Sequence, residues 1–378
     1  MTGGVVPGQA VRVALDATPL LGERTGIGHT VAALLDALAT HRDLALSAYA
    51  ITWRGRDRLA RWLPTGVAPR TRALPARVVR LLWRHVDAPR IERWTGPVDV
   101  VHATNFVAPP SRAPTIVTVH DLACVEYPEL CTNDARAYPS LIRRALGRGA
   151  IVHVVSDTVG NEVRDAFGLA ADRVVRVYPG LMTLPNGDAA AGRRAARRER
   201  YVLALGTVEP RTNLAALVRA FDVTATDDLE VGLVIAGPQG WGPHGVDEAI
   251  VQARASDRIT RLGYVDEQKR ADLFTGATAF AYPSLSEGFG HPPLEAMHAG
   301  VPVLAADAGS LPEVLGDAAL FADPRDDDAI AGGLARILGD SGLRAQLVER
   351  GHARASRFRW TTTADELSAL YRRVAGRR

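Results

Sequence analysis

The sequence predicts an α/β protein of two doubly wound units in tandem, on three observations. Short, near-continuous apolar runs alternate with helical patterns, which marks buried parallel strands. The alternation stops around residues 184–200 and then restarts over a similar length. The chain has 378 residues, and at roughly 150 residues per domain that length suits two domains.

The first strand reads Val11 to Asp16. A polar, glycine-bearing stretch follows, Gly22 to His29, and then a helical pattern through Val31, Leu34, Leu35 and Leu38. Further strands are expected at 45–52, 98–102, 114–120 and 151–155, with helices at 136–147 and 158–167. Pro185-Asn186-Gly187-Asp188 is a turn signal. Arg193, Arg194, Arg197, Arg198 and Arg200 then sit among alanines, as in a solvated linker or exposed helix; a phosphate-binding arm is the less favoured reading. The second unit has strands at 201–205, 231–236, 259–262, 279–282 and 301–305, and a last helix carries Leu367, Leu370, Tyr371 and Val374. The expected division is 1–184, a linker 185–200, 201–360, and a helix 361–378 that packs back towards the first domain.

Composition excludes several classes. Apolar residues at 47% and charged residues at 23% suit a globular chain with a core and argue against disorder. The charge sum, 45 − 42 = +3, is small and shows no local excess, so nucleic acid is not an expected partner. Lys269 is the only lysine; the other cations are arginines, which offer planar forks to phosphate and carboxylate. Cys124 and Cys131, the only cysteines, make neither a disulfide scaffold nor a four-thiolate zinc site. No run approaches the ~18 apolar residues of a membrane span. The first residues lack the pattern of a secretory signal, so a cytoplasmic location is expected. Asp326-Asp327-Asp328 reads as a helix start, not a metal site.

The stretch richest in chemistry is Pro283-Ser284-Leu285-Ser286-Glu287-Gly288-Phe289-Gly290-His291-Pro292-Pro293-Leu294-Glu295-Ala296-Met297. A strand ends near Tyr282, two glycines permit tight backbone geometry, and a proline suits the first helical position. Gly300 ends the helix. Strand, glycine loop and helix N-terminus together form a ready anion site. Glu295 lies beyond the first turn, where the helix dipole gains it little, so a ligand contact is favoured over capping. The plain alternative is a βα turn with two surface acids.

The stretch resembles the E-x7-E signature of family-4 glycosyltransferases. Other matches follow in family order: Thr25-Gly26-Ile27-Gly28, Val119-His120-Asp121-Leu122, Gly206-Thr207-Val208-Glu209-Pro210-Arg211-Thr212-Asn213-Leu214, Gly237 to Gly242, Leu262-Gly263-Tyr264-Val265, Gly300-Val301-Pro302-Val303, Leu311-Pro312-Glu313-Val314 and Phe358-Arg359-Trp360. The resemblance implies the GT-B architecture, two Rossmann-like domains facing a central cleft. It implies retaining transfer of a hexose from a nucleotide-sugar, by a same-face route with no metal and no other cofactor.

By that resemblance, Glu295 binds the ribose hydroxyls and Glu287 the donor sugar. Gly288, Phe289, Gly290 and His291 meet the sugar and diphosphate, and Gly263, Tyr264 and Val265 flank the base. Thr207 and Thr212 belong to the donor site, and Gly26 and Gly28 close over the distal phosphate. His120, at a strand end where open α/β sheets bind ligands, is placed against donor sugar or acceptor; the bland reading is a satisfied structural histidine. Two departures stand out. Thr212 occupies a position where relatives often carry Lys, which leaves Arg211 to neutralise the diphosphate. Leu181-Met182 replace an Asp frequent after Val177-Tyr178-Pro179-Gly180.

The motif set most resembles the mannosyltransferase-like branch, which makes GDP-mannose the favoured donor, with UDP- and dTDP-hexoses open. The acceptor class is a glycan or a lipid-linked glycan. Arg77, Arg80 and Arg84 around Val78, Val79, Leu81, Leu82 and Trp83 suit a helix lying on the inner face of the plasma membrane; an ordinary packed helix is the favoured alternative. Two rival functions are weighed. An NAD-dependent oxidoreductase is disfavoured because Gly26-Ile27-Gly28 lacks the third fingerprint glycine. A non-catalytic glycosyltransferase-like binding protein is disfavoured by the paired glutamates and His120.

Overall fold

The computed structural model describes residues 10–21, 26–53, 56–225, 230–242 and 245–376. The chain forms two compact units, residues 1–180 with 359–378, and residues 181–358.

The first unit is built on a seven-stranded sheet in the order β3-β2-β1-β4-β5-β6-β7. Its strands are β1 (Val11–Asp16), β2 (Leu44–Thr52), β3 (Ala68–Ala73), β4 (Val100–Ala103), β5 (Thr115–Val119), β6 (Ile151–Val154) and β7 (Val174–Arg176). Every ladder is parallel. Strand order reverses between β1 and β4, the place where such sheets open a ligand crevice beyond their carboxyl ends. The central strands are buried on both faces and mostly apolar, because helices cover both faces. Val31, Leu34, Leu35 and Leu38 of the Gly26–Leu38 helix share one core with Leu367, Leu370, Tyr371 and Val374 of the Trp360–Ala375 helix.

β3 and β7 had no counterpart in the expected strands. Both are edge strands: β3 reads Ala-Pro-Arg-Thr-Arg-Ala and is partly exposed, so it carries no apolar run, and an edge tolerates its proline. The loop expected through His29 is also corrected. Gly26 and Gly28 lie in the first turn of the Gly26–Leu38 helix, with Gly28 buried; Gly22 to Thr25 fall outside the described residues.

The second unit has a six-stranded parallel sheet ordered β10-β9-β8-β11-β12-β13. Its strands are β8 (Arg200–Leu205), β9 (Val231–Ala236), β10 (Ile259–Gly263), β11 (Ala279–Tyr282), β12 (Val303–Ala306) and β13 (Ala319–Ala322). The order reverses between β8 and β11. As expected of Asp326, its side chain caps the Asp327–Gly339 helix, accepting from the amides of Asp328 and Ala329.

The expected linker 185–200 is not a linker. Asp188 caps a helix, Ala189–Ala196, that packs on the Glu267–Gly276 helix inside the second unit. Small residues make that contact: a Cβ on Gly192 would stand 2.1 Å from the carbonyl oxygen of Asp272. The arginines that suggested a solvated segment are the outer face, with Arg194 and Arg197 exposed. The units therefore divide after Gly180 and after Phe358, not at 184 and 360.

Candidate functional site

In the second unit the signature stretch leaves β11 and enters the His291–His298 helix. Gly290, at φ +93°, caps that helix, and a Cβ there would stand 2.7 Å from Leu311. The first helical residue is His291, so Pro292 and Pro293 occupy the next two positions. Neither has an N–H to donate. The amides facing an anion are thereby thinned to those on either side of the prolines.

Glu287 is held by three side chains. Its Oε1 accepts from Tyr282 Oη at 2.8 Å and Ser284 Oγ at 3.1 Å, and pairs with Arg211 Nη1 at 3.0 Å. Its carbonyl accepts from both the amide and the hydroxyl of Ser310 at 2.9 Å. Gly309 passes so close that a Cβ would lie 2.7 Å from that carbonyl oxygen. The Tyr282 hydroxyl is held well above its ordinary range by burial and by the Glu287 carboxylate.

Arg211 is engaged within the protein. Its Nε and Nη2 donate to Glu209 Oε1 at 3.2 and 3.0 Å, and its Nη1 donates to the Ser286 carbonyl at 2.9 Å while pairing with Glu287. The guanidinium lies between two carboxylates, and every nitrogen has a protein partner. The Thr212 hydroxyl is likewise engaged, donating to the Glu209 carbonyl at 2.7 Å in a capping box. Thr207 follows β8 and is partly buried.

Glu295 is buried to 3% exposure on the His291–His298 helix. Arg270, on the Glu267–Gly276 helix, places Nη2 3.6 Å from its Oε1. Glu295 Oε2 and Arg270 Nε are both buried with no hydrogen-bond partner among the described residues. Burial pushes the Glu295 carboxyl up to about 7; Arg270 opposes the rise and Glu267 adds to it. Gly263, at φ +65°, ends β10, and Tyr264 beyond it is 69% exposed. Val265 is partly buried, as is His291, whereas Gly288, Phe289 and Gly290 are buried.

In the first unit the carboxyl ends of β1, β4 and β5 bring together Asp16, Thr104 and His120. His120 Nε2 lies 2.8 Å from the Thr104 carbonyl, and the Thr104 hydroxyl donates to the Asp16 carbonyl at 2.7 Å. A carbonyl only accepts, so Nε2 carries the proton and Nδ1 is the acceptor nitrogen. Burial lowers the His120 pKa, against the Thr104 hydrogen bond and Asp121. Phe106 packs edge-on to His120 with φ +56°, a left-handed conformation rare for a bulky residue and frequent near functional sites. The Asp16 carboxyl accepts from the Thr18 amide and hydroxyl; burial nonetheless raises it to about 6.

Sequence reasoning missed Asp16, Thr104, Glu209, Arg270 and Ser310. A carboxylate closing an apolar strand was a legible signal for Asp16. It also missed a buried chain deeper in the first unit. His153 Nε2 faces the Val177 carbonyl at 3.2 Å, and its Nδ1 lies 2.9 Å from the Thr118 hydroxyl. Thr118 in turn meets His102 Nε2 at 2.8 Å, and His102 Nδ1 meets the Tyr371 hydroxyl at 2.7 Å. Because Val177 only accepts, every proton is fixed: Tyr371 donates to His102, His102 to Thr118, Thr118 to His153, and His153 to Val177. Burial holds both imidazoles neutral, with His153 lowered to about 4 and His102 well below its ordinary value.

Residues 24–183 match the family described as Glycosyltransferase Family 4, and residues 190–354 that described as Glycosyl transferases group 1. O-antigen chain mannosyltransferase B of Escherichia coli is 31% identical over 281 residues, covering 72% of this chain and 74% of the relative. The chain belongs to glycosyltransferase family 4. As such it is a hexosyltransferase, which sets aside the oxidoreductase and the non-catalytic readings. D-inositol 3-phosphate glycosyltransferase of Nocardia farcinica is 30% identical over 330 residues, 82% of this chain and 71% of that relative. The glycosyltransferase has the GT-B fold. Sucrose-phosphate synthase from Thermosynechococcus elongatus superposes with a TM-score of 0.74 at 18% identity, over 97% of this chain and 100% of that one. HepE from Anabaena, solved with UDP and glucose, gives 0.70 at 16% identity, over 95% and 99%. Among the described residues no helix is long and apolar enough to cross a membrane.

Proposed function

We propose that this enzyme transfers mannose from GDP-mannose to a glycan or lipid-linked acceptor, with retention of configuration and without a metal ion. The observation that carries the reading is the immobilised Glu287 at the switch point of the second sheet. Three donors fix one carboxylate oxygen, which supports a role for the other in meeting the hydroxyls of a donor sugar. The mannose assignment is supported by the relative named a mannosyltransferase.

In this reading Glu295 receives both ribose hydroxyls on one carboxylate, a bidentate contact. Gly263, Tyr264 and Val265 flank the base. The amides of Phe289, Gly290 and His291 meet the diphosphate, with Gly288 giving them room and Thr207 beside them. Gly26 and Gly28 contact the distal phosphate, and His120 faces the donor sugar or acceptor. The acceptor hydroxyl oxygen bonds to the anomeric carbon as the bond from that carbon to the diphosphate oxygen breaks. That leaving oxygen takes the acceptor's proton. Fixed amide dipoles stabilise the charge that grows there, without reorganising during the reaction. Arg211 and Thr212 act indirectly: Arg211 locks Glu287 against Glu209, and Thr212 closes the turn that holds Arg211.

The test is a transfer assay with GDP-mannose, UDP-glucose and dTDP-glucose as donors, with and without EDTA. GDP-mannose is expected to be used best, and EDTA to leave the rate unchanged. Glu287→Gln is expected to lower kcat on the order of 100-fold, the scale of one lost electrostatic contact in a transition state, with GDP affinity near wild type. Preference for another donor rejects the mannose assignment. Rate loss restored by magnesium rejects the metal-free scheme, and an unchanged kcat removes the role of Glu287.

The lipid-linked acceptor fits the surface of the first unit. The Ala76–His85 helix buries only Val79 and Trp83, and leaves Val78, Leu81 and Leu82 at 52%, 58% and 43% exposure. Arg77 and Arg84 flank that outward stripe, and the helix contains no acid. An apolar face with basic flanks suits an anionic lipid surface. The protein is expected to sediment with anionic phospholipid vesicles and the Leu81→Asp/Leu82→Asp variant to stay in solution; equal sedimentation of both rejects the contact.

A further inference from the structure

We propose that Arg270 is a positioning residue for nucleotide recognition, holding the buried Glu295 carboxylate ionised and oriented to take the ribose diol. This rests on the reading of Glu295 as the ribose ligand.

Two observations carry it. Arg270 and Glu295 sit on different helices and meet at 3.6 Å, near enough to attract and too far for a well-made hydrogen bond. Among the described residues each keeps one buried polar atom without a hydrogen-bond partner, Arg270 Nε and Glu295 Oε2. Buried polar groups are otherwise satisfied in folded proteins, so two orphans facing one ion pair mark a place prepared for a ligand. A ribose supplies the missing groups: its hydroxyls donate to the carboxylate, and a hydroxyl oxygen can accept from the guanidinium.

Among the described residues, Arg270 is the cation paired with this carboxylate. From the same helix Glu267 opposes it, which adds to the difficulty of keeping Glu295 charged. The Ser341–Ala355 helix also packs on the His291–His298 helix, but there His352 lies against Gly300, and Arg354 donates to the carbonyls of Val314 and Glu313. β11 presents Tyr282 to Glu287, and β12 is apolar. His298 is exposed on the far end of Glu295's own helix. Burial alone pushes the Glu295 carboxyl upward, so without Arg270 the neutral acid gains at the pH where the enzyme must bind its donor. A protonated carboxyl has one acceptor fewer to offer a diol.

The test compares GDP with 2′-deoxy-GDP, and UDP with 2′-deoxy-UDP, by titration calorimetry from pH 5.5 to 9. The ratio of the two affinities isolates the ribose contact from phosphate titration. In the wild type the preference for the ribonucleotide is expected to grow as pH rises through about 7. Arg270→Met is expected to cut that preference about tenfold at pH 7.5 and move its midpoint to higher pH; Arg270→Lys is expected to restore most of both. If Arg270→Met keeps the wild-type ratio and midpoint while Glu295→Gln abolishes the preference, Arg270 has no such part and the ribose reading stands. If Glu295→Gln leaves the preference intact, the ribose reading falls, and the inference with it. Circular dichroism of the lysine variant guards against reading a folding defect as a binding one.

Discussion

The two units each bury a polar cluster, and the two are built on opposite principles. In the first unit, His102, Thr118, His153 and Tyr371 form a head-to-tail chain in which every donor has an acceptor and no group is charged. In the second, a titrating Glu295 faces Arg270, imperfectly joined, and among the described residues each is left with an orphan atom. A closed network rigidifies; an open one waits for a partner. The first ties the C-terminal Trp360–Ala375 helix to β4, β5 and β6, and its polarity is structural. The second carries a cost in the free protein, which is what the proposed ribose site would recover on binding.

The sharpest way to break this contrast is Thr118→Val, similar in shape but with no hydroxyl. It leaves a nitrogen of each histidine unpaired in the core. At about 1–3 kcal/mol per orphan, the loss in unfolding free energy is expected to be ~2–6 kcal/mol, and a loss below about 1 kcal/mol would mean the chain is not a closed unit. The same chain gives the first unit an acid limit. The folded pKa of His153 lies below its unfolded value, so its contribution is present above about 6.5 and is lost as pH falls towards about 4. Denaturant titration across that window checks the direction.

Glu295 behaves inversely and more weakly. Its folded pKa is raised from about 4.5 to about 7, so its contribution is present below the unfolded value and is lost as pH rises through about 7. Glu295→Gln is therefore expected to stabilise the protein at pH 8 by about 1–3 kcal/mol, with little change at pH 4, while weakening ribonucleotide binding. Equal melting temperatures at pH 8 would show that the open cluster carries no strain, and would erase the contrast.

Much of the architecture was legible in the sequence, and the misreadings have physical causes. Strands buried on both faces announce themselves as apolar runs, whereas β3, at an edge with a proline and two arginines, has no reason to be apolar. The segment read as a solvated linker or exposed helix is the Ala189–Ala196 helix, and its packing went unread because its inner face is made of alanine and glycine, whose pattern is silent. Of the candidate site, the Glu287 loop was readable because its chemistry lies in one contiguous stretch. The partners of Arg211 were not readable for the opposite reason: Glu287 arrives from a distant strand end.

The sequence by itself determined two α/β units, a glycine loop between strand and helix, two spaced glutamates and the family they belong to. These are local patterns, fixed by backbone conformation and by which side chains must leave water. Only the tertiary structure decided which charges are silenced and which stay open. Tyr371 meets His102 across 269 positions of chain, Arg270 meets Glu295 from another helix, and Glu209 claims Arg211. Electrostatics depends on distance and burial in space, and neither is written in the order of residues.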